Sequence, residues 1–421
     1  MNKARQIITV FEHATLHYGR TYDGVVFKES HFNALAKLND LHESKYFTLI
    51  HKGIRFSQYV GVIQVNGLSI EILPKIDRTD DNTQLWQEVL IHMLRVTKRL
   101  KVNNVGNAYV AKQNMHFLDI YFEWFLSEVQ LLIRQGLIKK YYNRTSNVRA
   151  LKGKLEFAGH LQKNSVHKER FFTSHQVCNV NHLEHQILGL ALSIVEQFSN
   201  GTYLYSKCKS VQLDFPEVQK LKPNTSIFSR LVYTRKNKAY KTALEIARII
   251  ILNFAPNISS GKENMLALLF DMNSLWEEYI LIQLRRVIAT KEIEVNGQES
   301  KDFWKGNSLR PDIVLRKGSK TYIVDTKWKR PSSNSASVGD LRQMYAYCRF
   351  WDAEKALLLY PGVTIDNRFN KYKTDDYFNG HDGIDEINHY CKMGFVSVIR
   401  EDTGQLDESI GEKVLALLEI A

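Results

Sequence analysis

The chain has 421 residues, which is too long for a single compact core. Of these residues 44% are hydrophobic and 24% charged, a composition that excludes a disordered or a fibrous protein. Lysine and arginine number 57 against 45 aspartates and glutamates, which gives a formal net charge of +12 at pH 7. This surplus favours a polyanionic partner, because neutralised phosphates release counterions, although a basic solvated surface has the same composition.

Cysteine spacing and hydropathy indicate a cytoplasmic protein that contacts no membrane. The four cysteines are scattered and form no C-x-x-C pair, which argues against a zinc cluster or a disulfide framework. The N-terminal residues lack a secretory signal pattern, and the most apolar stretch, residues 243–254, is too short to cross a bilayer and contains Glu245 and Arg248.

Residues 1–80 are predicted to form a strand-rich domain. Residues 47–64 and 67–76 are rich in β-branched and aromatic side chains. Asn66-Gly67 lies between two such runs, and this pair tolerates the positive φ angles of a hairpin turn. The sequence therefore predicts a β-hairpin at this point.

Residues 81–258 are predicted to form a mainly helical middle domain. Helical spacing of apolar residues begins at Gln84 and recurs over residues 117–136, 181–198 and 241–254. Pro256 and Ser259-Ser260-Gly261 then mark a domain boundary.

A basic and aromatic cluster interrupts this middle domain. It contains six cations interleaved with three rings: Lys139, Lys140, Arg144, Arg149, Lys152 and Lys154, with Tyr141, Tyr142 and Phe157. Such a pattern can follow a nucleic-acid backbone and stack on bases. The alternative is a solvated basic loop between helices.

Residues 259–421 are predicted to form a mixed α/β domain. A helix is predicted over residues 265–289 and a strand over 292–295, followed by a hairpin of residues 309–316 and 321–328. A helix over 338–351, strands over 355–360 and 395–400 and a helix over 408–420 complete the order α-β-β-β-α-β-β-α. The predicted fold class is α+β: a strand-rich N-terminal domain, a helical middle region and a C-terminal mixed sheet flanked by helices.

The chemistry is concentrated in the predicted hairpin. Asp312 opens its first strand, and Asp325 and Lys327 project from one face of the second, because side chains two residues apart in a strand share a face. Two carboxylates and an ammonium thus converge at one edge of the sheet. An Asp-x-Lys triplet alone is usually a surface ion pair, but Asp325 follows the apolar run 322–324, where an unpaired charge is costly.

Phosphodiester hydrolysis requires a set of this kind. Carboxylate oxygens hold Mg²⁺, which keeps several waters and accepts phosphate oxygens as further ligands. We assign Asp312, Asp325 and Thr326 to the metal, and expect Lys327 to orient the attacking water and offset negative charge. Whether Lys327 also acts as a base depends on its pKa.

The segment resembles the PD-(D/E)xK nuclease superfamily. Many members carry an acidic residue on the preceding helix; here Glu277 matches best and Glu278 is the alternative, with an exposed helix glutamate as the ordinary reading of either. Gln343 and Tyr347, one helical turn apart, resemble the Q-x-x-x-Y signature of the RecB-like branch. The resemblance implies that Gln343 contacts water at the metal or DNA, with Tyr347 supporting it or simply packing.

Further segments narrow the likeness to the McrC family of nuclease subunits. They are YVGV at 59–62, LSIEILPKI at 68–76, LKGKL at 151–155 and QMYAY at 343–347. The likeness runs from about residue 44 to 350; the first 40 residues and 360–392 match poorly. It implies a 5-methylcytosine-dependent restriction complex that cuts double-stranded DNA, in which an N-terminal region inserts into a ring of McrB, an AAA+ GTPase, and stimulates it.

The sequence contains no G-x-x-x-x-G-K-[ST] loop. Gly153-Lys154-Leu155 and Gly261-Lys262-Glu263 come nearest but lack the hydroxyl residue, so any motor is expected on another chain. Two alternatives stay open: a non-catalytic activator of an NTPase ring with a vestigial nuclease site, and a self-sufficient nuclease.

Overall fold

The computed structural model describes residues 6–75, 82–97, 99, 116–222, 226–256, 264–289, 291–329, 331, 335–363, 368–373, 388–400 and 406–420. The chain forms two compact units. The first comprises Met1–Gln6, Ile63–Ser69 and Asn104–Leu268, and the second Ile7–Val62, Ile70–Asn103 and Leu269–Ala421. The three-part division drawn from the sequence stays a prediction, and its boundary at Ser259-Ser260-Gly261 lies outside the described residues.

The N-terminal part is strand-rich, as predicted. Its elements are β1 (Gln6–Phe11), β2 (Thr15–His17), β3 (Thr21–Tyr22), β4 (Val25–Val26), α1 (Glu29–Leu41), β5 (Phe47–Ile50), β6 (Gly53–Phe56), β7 (Tyr59–Val65), β8 (Leu68–Leu73) and α2 (Thr83–Val96). Asn66 and Gly67 join β7 to β8 with φ angles of 48° and 77°, the conformation that the Asn-Gly pair predicts.

The part of the first unit that follows α2 in the sequence contains helices and one small sheet. The elements are α3 (Phe117–Gln135), β9 (Lys140–Val148), β10 (Lys154–Leu155), α4 (Phe157–Asn164), β11 (Phe171–Asn179), α5 (Leu183–Ser199), α6 (Tyr203–Asp214), α7 (Ser226–Ser229), a 3₁₀ turn (Lys238–Tyr240), α8 (Lys241–Leu252) and β12 (Phe254–Pro256). Helices α3, α5, α6 and α8 pack on one another and bury apolar stripes.

The basic and aromatic cluster lies mainly on a β-sheet, so the alternative of a loop between helices is wrong. Strand β9 pairs antiparallel with β11 along its whole length, and β10 pairs with the other edge of β11. Tyr141 is 70% exposed at the start of β9. Lys140 instead forms an ion pair with the buried carboxylate of Glu184.

The prediction of one helix over residues 265–289 is wrong in its first part. Strand β13 (Asn264–Asp271) comes first, and helix α9 (Met272–Ile288) follows it. The run from Met265 to Leu268 is buried, and a fully buried strand has no alternation that separates it from a buried helix. Asp271 ends the strand and caps the helix: its Oδ1 accepts from the backbone N–H groups of Asn273 at 2.9 Å and Ser274 at 3.2 Å.

The remaining elements are β14 (Glu294–Gly297), β15 (Lys301–Trp304), β16 (Asn307–Leu309), β17 (Ile313–Lys317), β18 (Lys320–Thr326), α10 (Val338–Trp351), β19 (Ala353–Pro361), β20 (Asn370–Lys371), β21 (Tyr390–Val396) and α11 (Ile410–Leu417). The helix predicted over 338–351 and the strand over 355–360 are confirmed. The last strand begins and ends earlier than predicted, and the two-stranded ribbon β15–β16 was not predicted.

Six of these strands form a mixed sheet in the order β14-β17-β18-β19-β21-β20. Strands β17 and β18 are antiparallel, whereas β18, β19 and β21 run parallel. Helix α10 provides the crossover that a parallel pair requires and packs on the sheet through buried residues such as Met344 and Cys348. A second sheet has the order β1-β8-β7-β13-β12.

Within the described part of the chain, no helix combines the length and apolar character that spanning a bilayer requires.

Candidate active site

The β17–β18 hairpin brings Asp312 beside the end of β18. Ile313 pairs with Val324, so Asp312, one residue earlier, lies next to Asp325 and Thr326. The backbone N–H of Thr326 donates to Asp312 Oδ2 at 2.7 Å, and the Thr326 hydroxyl donates to the same oxygen at 2.9 Å. Two hydrogen bonds from Thr326 to the same oxygen therefore fix the orientation of the Asp312 carboxylate. Thr326 contacts the candidate metal ligand, and its own role at a metal stays a prediction.

Asp325 and Lys327 form a buried ion pair. The Asp325 side chain is 2% exposed, and its Oδ2 lies 2.6 Å from Lys327 Nζ. The apolar neighbours Ile323 and Val324 exclude water from this strand end, so the ammonium is the group that compensates the carboxylate. Both side chains project from the same face, as the alternation of the strand predicts.

Helix α10 fixes the ammonium through a chain of hydrogen bonds. Lys327 Nζ donates to Gln343 Oε1 at 3.2 Å, and Gln343 Nε2 donates to the Tyr347 hydroxyl at 2.9 Å. The Tyr347 hydroxyl donates in turn to the backbone oxygen of Arg310 at 3.1 Å. Tyr347 thus packs in the core and also links the helix to the segment that carries Asp312.

The adjacent glutamates of α9 point to different surroundings. Glu277 Oε1 accepts from Gln298 Nε2 at 2.7 Å, and its carboxylate is repelled by Asp312 and, more weakly, by Asp325. Glu278 instead pairs with Arg99, whose Nε lies 2.8 Å from Glu278 Oε2. The structure therefore brings Glu277, and not Glu278, to the two aspartates.

The carboxylates stand in an environment that disfavours negative charge. Burial and the neighbouring Asp312 raise the pKa of Asp325 to about 6 despite Lys327, and burial with repulsion from Asp312 raises the pKa of Glu277 to about 7. Burial also raises the pKa of Asp312. Burial acts to lower the pKa of Lys327, but its two aspartate neighbours outweigh burial and raise it. A bound cation would relieve the mutual repulsion of the carboxylates.

These residues offer the hard oxygen donors that Mg²⁺ prefers. The described residues contain no group of three or more His, Cys, Asp and Glu side chains arranged to enclose a metal ion. Mg²⁺ does not require one, because it is usually held by one or two carboxylates and completed by water and phosphate oxygens. Asp312 and Asp325 fit this pattern, with Glu277 close enough to bear on it electrostatically.

One buried residue near the site was missed from the sequence. Glu12 follows β1, and its Oε1 accepts from Trp328 Nε1 at 2.7 Å and from the backbone N–H of Lys75 at 3.0 Å. Trp328 directly follows Lys327 and stacks obliquely on Trp276 of α9, with ring centroids 5.3 Å apart. No local pattern marks Glu12, because its partner lies 316 residues away in the sequence.

Comparisons with known proteins agree on one family. The sequence profile described as "McrBC 5-methylcytosine restriction system component" matches residues 54–361. A curated relative, the type IV methyl-directed restriction enzyme EcoKMcrBC of Escherichia coli (strain K12), is 23% identical over 287 residues, which covers 61% of this chain and 79% of the relative.

Two solved structures have a similar fold. A half-complex from a tetradecameric assembly of Thermococcus gammatolerans McrB AAA+ hexamers with bound McrC contains a chain with a TM-score of 0.73 and 19% identity. The match covers 99% of this chain and 100% of that one. A chain of the Thermococcus gammatolerans McrBC complex has a TM-score of 0.54 and 21% identity over 68% of this chain and 88% of that one.

Proposed function

The chain belongs to the family of McrBC 5-methylcytosine restriction system components, and from this premise we propose that it is the DNA-cutting subunit of such a complex. Its reaction is the Mg²⁺-dependent hydrolysis of phosphodiester bonds in double-stranded DNA. The proposal rests on the position of Asp312, Asp325 and Lys327, which lie together where β17 begins and β18 ends. Lys327 Nζ is 2.6 Å from Asp325 Oδ2.

The two aspartates would hold the cation. When bound, Mg²⁺ supplies positive charge that lowers the pKa of water and neutralises charge on the phosphate. Thr326 keeps Asp312 in the orientation in which one oxygen faces that site. Glu277 adds negative charge beside the two aspartates and thereby favours a divalent over a monovalent ion.

Lys327 serves as a donor of hydrogen bonds and positive charge. Because its pKa is raised, the side chain is an ammonium at neutral pH and has no free pair with which to accept a proton. It can therefore orient the attacking water and stabilise negative charge on the phosphate, while Gln343 restricts where the ammonium lies.

The complex is proposed to include a ring of an McrB-like AAA+ GTPase, which this chain stimulates. The supporting observations are the family and the likeness to chains of two Thermococcus structures, one of McrB AAA+ hexamers with bound McrC and one of the McrBC complex. Recognition of 5-methylcytosine is assigned to the partner. The absence of a phosphate-binding loop from this sequence agrees with a motor on a separate chain.

The test is plasmid cleavage by the complex reconstituted with its partner ring, GTP and Mg²⁺. Asp325→Asn and Lys327→Ala are expected to lower the cleavage rate at least about a thousandfold while GTP hydrolysis stays within about twofold of the wild type. Lys329→Ala is the control, since Lys329 is a nearby lysine that pairs with Asp340 on an exposed surface. Its cleavage rate should be unchanged.

Cleavage by the two variants at the wild-type rate would contradict the assignment of the site. Intact plasmid in the wild-type reaction, with rapid GTP turnover, would favour the non-catalytic activator instead. Rapid cutting by the isolated chain without GTP would indicate a self-sufficient nuclease.

A further inference from the structure

An exposed two-stranded ribbon projects from the edge of the sheet that carries the site. Among the described strands, β15 and β16 form a two-stranded sheet of their own, through Lys301 with Leu309 and Asp302 with Ser308. The ribbon ends at Leu309, three residues before Asp312. Residues 301 to 308 are all exposed, although Lys301 and Phe303 contact the C-terminal end of α10 at Phe350.

Both ends of the ribbon are tied to the candidate active site. Before it, Gln298 donates from its side chain to Glu277 at 2.7 Å and from its backbone N–H to the backbone oxygen of Asp312 at 2.9 Å. After it, the backbone oxygen of Arg310 accepts from Tyr347. The two ends of the ribbon therefore adjoin the aspartates, whereas its first strand contacts the C-terminal end of α10 at Phe350.

The base of the ribbon is rigid. Arg316 donates two hydrogen bonds to the Glu299 carboxylate, both at 2.7 Å, and Trp351 Nε1 donates to Glu299 Oε2 at 3.0 Å. Lys301 Nζ donates to the backbone oxygen of Phe350 at 2.6 Å. A ribbon anchored in this way loses little further conformational entropy when it binds a ligand.

The tip of the ribbon presents an aromatic ring and a cation. Trp304 is 64% exposed, and the Lys305 ammonium lies 5.6 Å from the centroid of its ring. Lys305 and Gly306 form the two-residue turn with φ angles of 37° and 83°. Phe303, at the bulge between Asp302 and Trp304, packs against Phe350 with ring centroids 5.6 Å apart. Trp304 and Lys305 are exposed side chains at the tip that can contact a ligand.

We propose that this ribbon lies in a groove of the DNA duplex next to the bond to be cut, with Trp304 against bases and sugars and Lys305 on a phosphate. The inference rests on the proposed nuclease function and identifies how its substrate is held. The major groove of B-form DNA admits a two-stranded ribbon. Residues 301–310 carry three basic side chains against one acidic one, which complements the phosphate backbone.

The test measures affinity for a fluorescently labelled DNA duplex with the full chain in the presence of a chelator, so that binding is read without cleavage. Trp304→Leu is expected to raise the dissociation constant roughly tenfold, because the indole ring buries more apolar area against the duplex than leucine does. Trp304→Phe keeps a ring and should stay within about threefold. Thermal melting of each variant identifies any loss of folding.

The logarithm of affinity falls linearly with the logarithm of salt concentration. Lys305→Ala is expected to make this slope less steep by about one, because a single phosphate contact is lost. Tyr203→Ala, which removes an exposed aromatic side chain of the first unit, is the control and should leave affinity unchanged.

Equal duplex affinity for the wild type, Trp304→Leu and Lys305→Ala would overturn the proposal. It would also fail if Trp304→Leu bound DNA normally but no longer assembled with the partner ring, since the ribbon would then contact protein. Because affinity is measured in chelator, either result can occur whether or not the wild type cuts DNA. The ribbon and the nuclease assignment can therefore fail separately.

Discussion

Glu277 and Glu278 are neighbours on α9, yet their side chains have different partners. Glu277 contacts Gln298 beside the two aspartates, whereas Glu278 pairs with Arg99. The sequence left both as candidates, because helical spacing alone does not decide which of two adjacent glutamates reaches a neighbouring sheet. The structure separates them by their contacts.

A matched pair of substitutions tests this distinction. Glu277→Gln is expected to lower plasmid cleavage about tenfold or more, because it removes one negative charge from the group that attracts the cation. Glu278→Gln should change it less than about twofold, since an exposed ion pair contributes little. The measurement is the cleavage rate at saturating and at limiting Mg²⁺. Equal loss in the two variants would contradict the assignment of Glu277.

Glu12 gives a prediction about stability and pH. Burial raises the pKa of Glu12 from its ordinary value of 4.5 to about 7. The folded state therefore keeps this proton up to a higher pH than the unfolded state, so unfolding releases a proton between these two values. The contribution of Glu12 to stability falls as pH rises from about 4.5 to 7, by about 3 kcal/mol at most.

Glu12→Gln keeps an oxygen that can accept from Trp328 but has no charge to bury. Urea unfolding at a series of pH values should show the variant gaining stability relative to the wild type as pH rises from 5 to 8, by about 1–3 kcal/mol. Glu292→Gln, at an exposed position, should show no such trend. A constant difference between Glu12→Gln and the wild type across this range would contradict the prediction.

At the scale of single residues, the sequence predicts the site well where local geometry decides it. Alternation along β18 correctly gives Asp325 and Lys327 a common face, and the short hairpin returns them beside Asp312. Glu12 could not be found in this way, because its contact with Trp328 arises only from the tertiary fold. The orientation of Asp312 by Thr326 is likewise a cross-strand contact that spacing does not reveal.

Elements were predicted best where a special backbone conformation or an amphipathic pattern marks them. The Asn66-Gly67 turn and helix α10 are examples. Strand β13 was mistaken for the start of α9, because residues buried on both faces show neither helical nor strand periodicity. The ribbon β15–β16 was missed for the opposite reason: its residues are exposed on both faces and carry no apolar pattern.

The boundary between β13 and α9 depends on Asp271. Its carboxylate accepts from two backbone N–H groups of the first turn of α9. Asp271→Ala is expected to lower the free energy of unfolding by about 1 kcal/mol, and Asp271→Asn by less, since asparagine also caps helices. Urea unfolding of both variants checks this. Equal losses in the two variants would show that the cap is not what Asp271 contributes.

At the scale of the whole molecule, the positive charge does not by itself identify the DNA surface. The exposed cations of β9 lie in the first unit, whereas the ribbon and the carboxylates of the candidate active site lie in the second. Net charge is a property of the whole chain and does not report its distribution. The family, by contrast, follows from sequence matches that run across both units, from residue 54 to 361.

The most direct measurement of the central claim is the position of a divalent ion in crystals of the chain grown with Mn²⁺, which substitutes for Mg²⁺ and scatters anomalously. We expect an anomalous peak within about 2.0–2.3 Å of a carboxylate oxygen of both Asp312 and Asp325, and its loss in the Asp325→Asn variant. A peak bound elsewhere in the chain, with none between these two aspartates, would contradict it.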